Sequence, residues 1–441
     1  MTKRNFILLI IILIIVMSVA FGFFYFKKST TTPTDTGTDN NFFSQFNPFK
    51  STKPNPATTA TTPADVSGYV PPVDALAKLM RVSSMPIAGF TVFSKERLKD
   101  IPLATTNADA TSTTKPVKAP ETEFVPALRY VAKENGNIYQ TFVDKINERK
   151  FSVTVIPKVY DAYFGNKGGS VIMRYLKNDG RTIETFLGTL PKELLSVEST
   201  GNNEIKGSFL PDNVRDISIS PDTSKVLYLF NAGVNTSDRM VGTTLNFGDG
   251  KKVQVLDSPF TEWLSQWPSS NTINFSTKPS ASVPGYMYTT DTTGKNLTKV
   301  LGGINGLTTL SSPDGKLVLY GDSTLALNIY HTDTKKTDSV AIKTLPEKCV
   351  WGKASDVLYC AVPKSINFSD YPDSWYQGET SFQDQIWKID IKTQNTTLVI
   401  DPATVTSGED VDATNLTLDT GENYLFFTNK KDSFLLKLNL K

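Results

Sequence analysis

Residues 312–333, SPDGKLVLYGDSTLALNIYHTD, contain the pattern that decides the fold of this 441-residue chain. A Ser-Pro-Asp-Gly turn at 312–315 precedes the apolar run LVLYG at 317–321, and a polar turn then leads to a second run that contains Ile329-Tyr330. Proline presets φ in such a turn and glycine supplies its left-handed position. The segment therefore predicts neighbouring antiparallel strands joined by short turns.

The first apolar run has seven copies along the chain. They begin at Leu128, Val171, Val226, Ile273, Leu317, Val357 and Tyr424, with spacings of 43, 55, 47, 44, 40 and 67 residues. Five of the six spacings are close to the length of one four-stranded propeller blade, and an inserted loop explains the longest. The sequence therefore predicts an all-β fold, a seven-bladed β-propeller.

The end of the chain predicts how the ring closes. The last unit has a strand at 424–428 and a third strand within 434–440, but no fourth. The missing outer strand is expected from residues 79–82, which precede the first inner strand at 87–93. Such closure places both ends of the domain in one sheet and leaves no exposed strand edge.

The first 28 residues predict a membrane anchor. An apolar run of 21 residues, Phe6–Phe26, lies between basic pairs at 3–4 and 27–28. As a helix it would be roughly 30 Å long, which matches the hydrocarbon core of a bilayer. A signal peptide cleaved near 18–20 is the alternative. We expect a single-pass protein of the cell membrane, with a cytoplasmic N-terminus and an extracytoplasmic propeller.

Residues 29–65 predict a disordered stalk, because Thr, Pro, Asn and Ala bury too little apolar surface to offset chain entropy. The propeller domain is then expected to span 66–441, with a flexible loop at 103–120. Four aromatic residues interrupt the stalk: Phe42, Phe43, Phe46 and Phe49. They form either a short segment that docks on a partner or linker residues that lie on the membrane or the domain.

Composition argues against several classes of function. The chain has 46 basic and 44 acidic residues, a net charge of +2, which argues against binding of nucleic acid through clustered Lys and Arg. His331 is the one histidine of the sequence, which removes most zinc sites, catalytic triads and general-base mechanisms. We therefore expect no metal, no cofactor and no catalytic residue, and predict that the chain is not an enzyme.

Cys349 and Cys360 are the two cysteines of the sequence, and they flank a turn at 353–356. Equal spacing about this turn places them opposite each other on neighbouring strands, within reach of a disulfide. Two free buried thiols are the alternative in a reducing compartment. Because an export anchor lies upstream, we predict the disulfide, which in turn supports an extracytoplasmic location.

The insertion at 365–385 is predicted to be the main binding surface. It concentrates aromatic side chains and carboxylates, a combination that suits contact with a protein or a carbohydrate. The candidate binding residues are Tyr371, Asp373, Trp375, Tyr376 and Phe382. The alternative is a loop that packs its own aromatic side chains onto the neighbouring blade.

The turn 312–315, the strand 317–320 and strands such as 329–333 resemble the propeller repeats of the TolB and prolyl-oligopeptidase N-terminal type. The segments 347–363 and 371–390 look like those of uncharacterised membrane-anchored propeller proteins of small-genome, uncultivated bacteria. The first resemblance implies a propeller, and the second implies no established activity. The Gly-x-Ser-x-Gly elbow of an α/β-hydrolase does not follow the repeats.

The leading hypothesis is an envelope module that binds or scaffolds a protein or glycan partner through its propeller loops. The alternative is a propeller enzyme, a glycoside hydrolase or lyase, with a carboxylate site in the central funnel. Two carboxylates at catalytic separation in that funnel would favour the enzyme. A structural part of a larger assembly is a third hypothesis, and ligand identity and oligomeric state stay open.

Overall fold

The computed structural model describes residues 78–99, 121–193, 203–233, 238–405 and 409–441. The predicted anchor (1–28), stalk (29–65) and flexible loop (103–120) lie outside these ranges, as do Phe42, Phe43, Phe46 and Phe49. Within the ranges, no helix is both long and apolar enough to cross a membrane.

The described strands form seven four-stranded antiparallel sheets, the blades of a β-propeller. The first strand, β1 (Leu79–Arg81), is paired in the last blade. Blade 1 contains β2 (Ile87–Leu98), β3 (Thr122–Ala132), β4 (Ile138–Phe142) and β5 (Arg149–Lys150). Blade 2 contains β6 (Asp161–Gly165), β7 (Ser170–Leu176), β8 (Ile183–Thr189) and β9 (Lys206–Phe209). Blade 3 contains β10 (Val214–Ile219), β11 (Lys225–Asn231), β12 (Met240–Asn246) and β13 (Lys252–Ser258).

The remaining blades repeat this order. Blade 4 contains β14 (Trp263–Ser269), β15 (Thr272–Thr277), β16 (Pro284–Asp291) and β17 (Thr298–Asn305). Blade 5 contains β18 (Thr308–Ser311), β19 (Leu317–Gly321), β20 (Ala326–His331) and β21 (Thr337–Lys343). Blade 6 contains β22 (Cys349–Trp351), β23 (Val357–Pro363), β24 (Asp384–Asp390) and β25 (Thr396–Ile400). Blade 7 contains β26 (Ala413–Leu418), β27 (Tyr424–Asn429), β28 (Leu435–Asn439) and β1.

The seven repeated apolar runs all lie in the second strand of a blade. They belong to β3, β7, β11, β15, β19, β23 and β27. Blades 1–6 run from the inner to the outer strand in chain order, and blade 7 does so except for its outer strand β1, so the repeat of the sequence is the repeat of the architecture. The prediction of an all-β, seven-bladed propeller is confirmed.

Blade 7 closes the ring with a strand from the other end of the domain. β1 pairs antiparallel with β28, so that Leu79 lies opposite Leu438 and Arg81 opposite Leu436. The Arg81 guanidinium lies 3.2 Å from the centre of the Phe434 ring. The backbone hydrogen bonds of β1 therefore join the two ends of the described domain and satisfy the edge of β28.

The apolar core lies between neighbouring blades. Leu227 and Leu229 of β11 form one buried cluster with Trp267 of β14 and Phe275 of β15. Successive strand residues point to opposite faces of a sheet, so both faces of a blade are available to bury apolar side chains. Each blade thus depends on both of its neighbours.

Every junction between neighbouring blades is also crossed by a hydrogen bond from a side chain to a backbone group. We call these the inter-blade bonds. In ring order they join Arg129 to Gly168 O, Arg174 to Val214 O, Asp216 to Ser265 N, Gln266 to Thr309 O, Trp351 to Leu310 O, Asp384 to Ala413 N and Lys437 to Val143 O. The inter-blade bonds satisfy backbone groups that the strand ladders leave unpaired.

The predicted disulfide is present. Cys349 of β22 and Cys360 of β23 are paired residues of the ladder, and their sulfur atoms are bonded. The bond links the inner and second strands of blade 6, and Cys349 is the first residue of the inner strand.

Reduction of this disulfide is expected to lower the free energy of unfolding by about 2–3 kcal/mol, because the bond restricts the unfolded chain over a separation of 11 residues. Urea denaturation with and without reductant measures the difference. The double variant Cys349→Ser/Cys360→Ser is the control, and the reductant should leave its midpoint unchanged. Equal midpoints for the oxidised and reduced wild type would contradict the prediction.

The two faces of the propeller are distinguished by the direction of the inner strands. We call the face at which these strands begin the upper face and the opposite one the lower face. The loops that join second to third strands and outer strands to the next inner strand lie at the upper face.

Candidate functional site

The insertion between β23 and β24 lies on the upper face and contains the short helix α1 (Asp373–Tyr376). Asp373 Oδ2 accepts a 2.6 Å hydrogen bond from Ala281 N in blade 4. Trp375 Nε1 donates at 3.0 Å to Asp412, which directly precedes the inner strand of blade 7. Blades 4 and 7 are three positions apart in a ring of seven, so a four-residue helix that reaches both lies across the upper mouth of the central opening.

Three of the predicted binding residues are buried within this insertion. Tyr371 is 3% exposed, Trp375 is 4% exposed and Phe382 is 2% exposed, and they form a cluster with apolar side chains of blade 5. The three rings therefore pack mainly against the protein in this conformation. Tyr376 stays 38% exposed beside Glu347, and Asp373 is held by blade 4. Binding through the insertion stays a prediction.

A buried charge cluster anchors the insertion. Lys348 Nζ lies 2.5 Å from Asp412 Oδ1 and 2.8 Å from Asp384 Oδ2, and all three side chains are 0% or 2% exposed. The ammonium also donates to Ala413 O at 2.9 Å and lies 5.1 Å from the centre of the Trp375 ring. The cluster therefore connects the segment that precedes blade 6 with the start of the inner strand of blade 7 and with helix α1.

The two carboxyl groups of this cluster differ in their surroundings. Burial raises the pKa of Asp384 to about 6, although Lys348 opposes the shift. Burial also acts on Asp412, but the charge of Lys348 and hydrogen bonds from Phe382 N and Trp375 Nε1 hold its pKa below the usual value. Because the cluster is sealed from solvent, it can hold the insertion in place but cannot reach a substrate.

A second carboxylate, that of Asp216, is half-buried. Asp216 lies on β10, the inner strand of blade 3, next to a β-bulge between Val214 and Asp216. Its Oδ2 accepts hydrogen bonds of 2.6 Å from both the backbone N and the Oγ of Ser265. Among the described residues nothing donates to its Oδ1. Bulges of this kind redirect side chains and are frequent next to active sites.

Asp216 belongs to a group of polar side chains contributed by blades 2 and 3. Arg174 Nη1 lies 2.8 Å from Asp161 Oδ2, and Arg174 Nη2 donates to the backbone oxygens of Val214 and Arg215. Burial, followed by the negative charges of Asp161 and Asp216, raises the pKa of Tyr163 well above its ordinary value. Tyr163 is therefore a neutral phenol close to two carboxylates, of which Asp161 is neutralised by Arg174.

The Asp216 carboxyl has the proton affinity of an acid–base group. Burial raises its pKa to about 6 and the charge of Asp161 adds to the rise, while hydrogen bonds from Ser265 and the charge of Arg174 oppose it. A group with a pKa near the working pH can both accept and donate a proton at useful rates. The candidate site therefore combines a proton acceptor, a neutral phenol and guanidinium groups.

The inter-blade bond made by Asp216 does not require a charge. At the next junction Gln266, a neutral amide, makes the same kind of contact, donating to Thr309 O at 2.5 Å and accepting from Ser311 N at 3.1 Å. A half-buried carboxylate costs more to desolvate than an amide. A neutral side chain can therefore make this kind of bond, although Asp384 makes it with a carboxyl group at the junction of blades 6 and 7.

Metal binding has no support in the described part of the chain, where no group of three or more His, Cys, Asp or Glu side chains lies close enough to hold an ion. His331 instead lies 2.9 Å from Asp338 on blade 5.

No family model matches the chain, and no curated protein matches it in sequence. Among solved structures, the chain is similar to an oligogalacturonate lyase from Vibrio parahaemolyticus, with 9% identity and a TM-score of 0.48 over 71% of this chain and 86% of that chain. It is also similar to an oligogalacturonate lyase in complex with manganese, with 11% identity and a TM-score of 0.48 over 71% and 85% of the two chains. A likeness this distant does not carry an activity, a substrate or a metal over to this chain.

The prediction that the chain is not an enzyme is corrected: both similar structures are lyases, so its grounds do not exclude an enzyme. The prediction relied on the single histidine and on the absence of known motifs. A propeller site is assembled from several blades, so a search for closely spaced motifs cannot exclude it.

Asp161 and Asp216 of the candidate site were not among the residues predicted from the sequence. They are 55 positions apart and come together because they lie on inner strands of adjacent blades. One local feature does point to Asp216: it is an acid between Arg215 and Ile217 in a segment, VRDISI, that otherwise has the pattern of a strand.

Proposed function

We propose that this protein is a propeller enzyme that cleaves an acidic glycan by proton abstraction and β-elimination at the upper part of the central opening. The observation that carries the proposal is Asp216, a half-buried carboxyl with one oxygen held by Ser265, the other open, and a pKa raised to about 6. This is the enzyme alternative of the sequence analysis, with a carboxylate site in the funnel.

The neighbouring side chains favour elimination over hydrolysis. Glycoside hydrolases generally use two carboxyl groups, but the second one here, Asp161, is paired with Arg174. In an elimination, Asp216 takes the proton from the carbon next to the sugar carboxylate, a C=C bond forms, the glycosidic C–O bond breaks, and Tyr163 supplies the proton to the leaving oxygen. The exposed guanidinium of Arg215, displaced by the bulge, neutralises the sugar carboxylate.

We place this activity outside the cytoplasm and tethered to the membrane. The apolar run Phe6–Phe26 supports an anchor, and the disulfide between Cys349 and Cys360 fits an oxidising compartment. The resemblance to TolB-type repeats and to membrane-anchored propellers of uncultivated bacteria belongs to the same proposal.

The test is turnover by the purified full-length chain of uronate polymers, with polygalacturonate, alginate and hyaluronan as substrates and dextran as the neutral control. Elimination produces a conjugated double bond that absorbs in the ultraviolet together with new reducing ends, whereas hydrolysis produces reducing ends alone. We expect both products from at least one uronate polymer and neither from dextran. Reducing ends without the double bond, or no turnover of any polymer, would overturn the elimination proposal.

A second candidate function, binding of a protein partner, is favoured by Phe368. This side chain is fully exposed on the insertion, and exposed aromatic side chains frequently anchor interfaces. We expect Phe368→Ser to reduce recovery of an envelope partner at least about tenfold in pull-downs, since hot-spot truncations exceed 1.4 kcal/mol. Phe124→Ser, a similarly exposed residue of blade 1, is the control. Equal recovery by the wild type and Phe368→Ser would remove this candidate.

A further inference from the structure

A pocket opens on blade 1, toward the lower face and away from the upper-face site. The register of β3–β5 places Arg129, Gln140 and Arg149 in one row across the sheet, and Ala127 opposite Phe142 in the next row on the same face. The small side chain of Ala127 leaves a hollow there. The resulting cavity has a volume of about 240 Å³.

Positive charge is in excess around this cavity. The carboxylate of Glu193 forms an ion pair with Lys95, lies 3.7 Å from Arg129 Nη2, and accepts two hydrogen bonds of 2.7 and 2.9 Å from Gln140 Nε2. Arg149 lines the same cavity, which it shares with Lys95. Glu193 therefore neutralises Lys95 and Arg129 together, and Arg149 adds a further positive charge near Lys95.

The Arg149 guanidinium is half-buried and has no ion-pair or hydrogen-bond partner among the described residues. Desolvating a guanidinium without a counter-charge is unfavourable. The pKa of Lys95 is lowered to about 8, first by burial and then by the positive charges of Arg129 and Arg149. Both observations describe a pocket in which one more negative charge would be stabilising.

We propose that this pocket binds the anionic oxygen group of a small ligand, a carboxylate or a phosphate, with Arg149 and Lys95 as the charged contacts. The planar, forked guanidinium matches two oxygens of either group. Phe142 and Ala127 offer an apolar wall beside the charges, which suits the ring of a sugar acid or a sugar phosphate. The cavity is smaller than the roughly 300–1,000 Å³ of pockets for drug-sized ligands, so it fits a single sugar unit or a free anion.

The site differs from the proposed active site in its position and in its chemistry. It lies beside the lower ends of β2 and β4, whereas Asp216 lies in the upper half of β10, and its charged lining is basic rather than acidic. Failure of one proposal therefore leaves the other standing.

The test is calorimetric titration of the full-length chain with inorganic phosphate, with glucuronate, and with glucose as the neutral control. We expect saturable binding of at least one anion and none of glucose. Arg149→Gln should weaken that binding about tenfold or more, as expected when a charge-assisted, forked contact is lost, and Arg149→Lys should weaken it less. Arg181→Gln, at an exposed turn of blade 2, should bind like the wild type.

The outcomes separate the two sources of the anion. Binding of phosphate alone assigns the pocket to phosphate groups, and binding of glucuronate alone assigns it to sugar acids; binding of both assigns it to the shared anionic chemistry. Ala127→Val, which narrows the hollow without changing any charge, provides a second variant and should also weaken binding. Absence of saturable binding by the wild type, or equal affinity of the wild type and Arg149→Gln, would overturn the proposal.

Discussion

Lys348→Met is expected to lower the free energy of unfolding by about 3–5 kcal/mol, the usual effect of leaving a buried charge without its partner. In the folded protein Lys348 neutralises Asp384 and Asp412, and all three side chains are sealed from solvent. Methionine has a similar volume, so the change removes the charge while keeping most of the packing. Urea denaturation followed by circular dichroism measures the loss.

Lys364→Met is the matched control. Its ammonium lies 2.8 Å from Asp401, but Lys364 is 31% exposed, and we expect a loss below about 1 kcal/mol. The loss in free energy of unfolding caused by Lys348→Met should also be smaller near pH 5 than near pH 8. Near pH 5, Asp384 and Asp412 of the variant can take up protons and lose their charge. A Lys348→Met midpoint equal to that of Lys364→Met would mean that the cluster does not anchor the insertion.

Asp216→Asn is expected to reduce kcat/KM on the uronate polymer about 10²–10⁴-fold, the range for removal of a positioned acid–base group. The amide oxygen can still accept from Ser265 N and Oγ, so the inter-blade bond is kept. The activity of the wild type should rise with pH through about 6, as the Asp216 carboxyl becomes the base, and the residual activity of the variant should lack this step.

The stability of the same variant separates a catalytic from a structural role. The pKa of Asp216 is raised in the folded state, so the folded protein binds this proton more tightly than the unfolded chain does. The free energy of unfolding therefore falls as pH rises from the ordinary aspartate value through about 6. Asn removes this dependence, and near pH 7 we expect Asp216→Asn to be at least as stable as the wild type.

Asp249→Asn, in the exposed turn between β12 and β13, is the control for activity and for stability. A large fall in the stability of Asp216→Asn with unchanged turnover would show that Asp216 serves only the junction between blades 3 and 4. Loss of turnover with unchanged or raised stability is the expected pattern for an active-site group.

The architecture could be predicted because the features that determine it are local. Each second strand is a short apolar run beside a turn, as at 312–321, and one blade takes up one repeat of the sequence. Closure by β1 followed from counting strands in the last unit, and the disulfide followed from the symmetry of Cys349 and Cys360 about one turn. Each of these predictions relates residues within one hairpin or counts whole repeats of the sequence. None of them depends on contacts between blades.

The packing of the insertion at 365–385 could not be predicted in this way. Its composition is the same whether Tyr371, Trp375 and Phe382 face a ligand or the protein, so the burial of these rings against blade 5 could not be predicted. Partners of the insertion such as Asp412 lie tens of residues away on another blade.

The sequence by itself determined the number of blades, the strand that closes the ring and the cysteine pair, because alternation, turn residues and spacing act between neighbours in the chain. Only the tertiary structure decided which polar side chains meet: Lys348 with Asp384 and Asp412, Tyr163 with Asp161 and Asp216, and Arg149 with Lys95. Those contacts form within a blade or where one blade packs against the next, and in most cases the side chains that meet are 28 or more positions apart. Burial then sets their charge states, and burial is a property of the assembled ring.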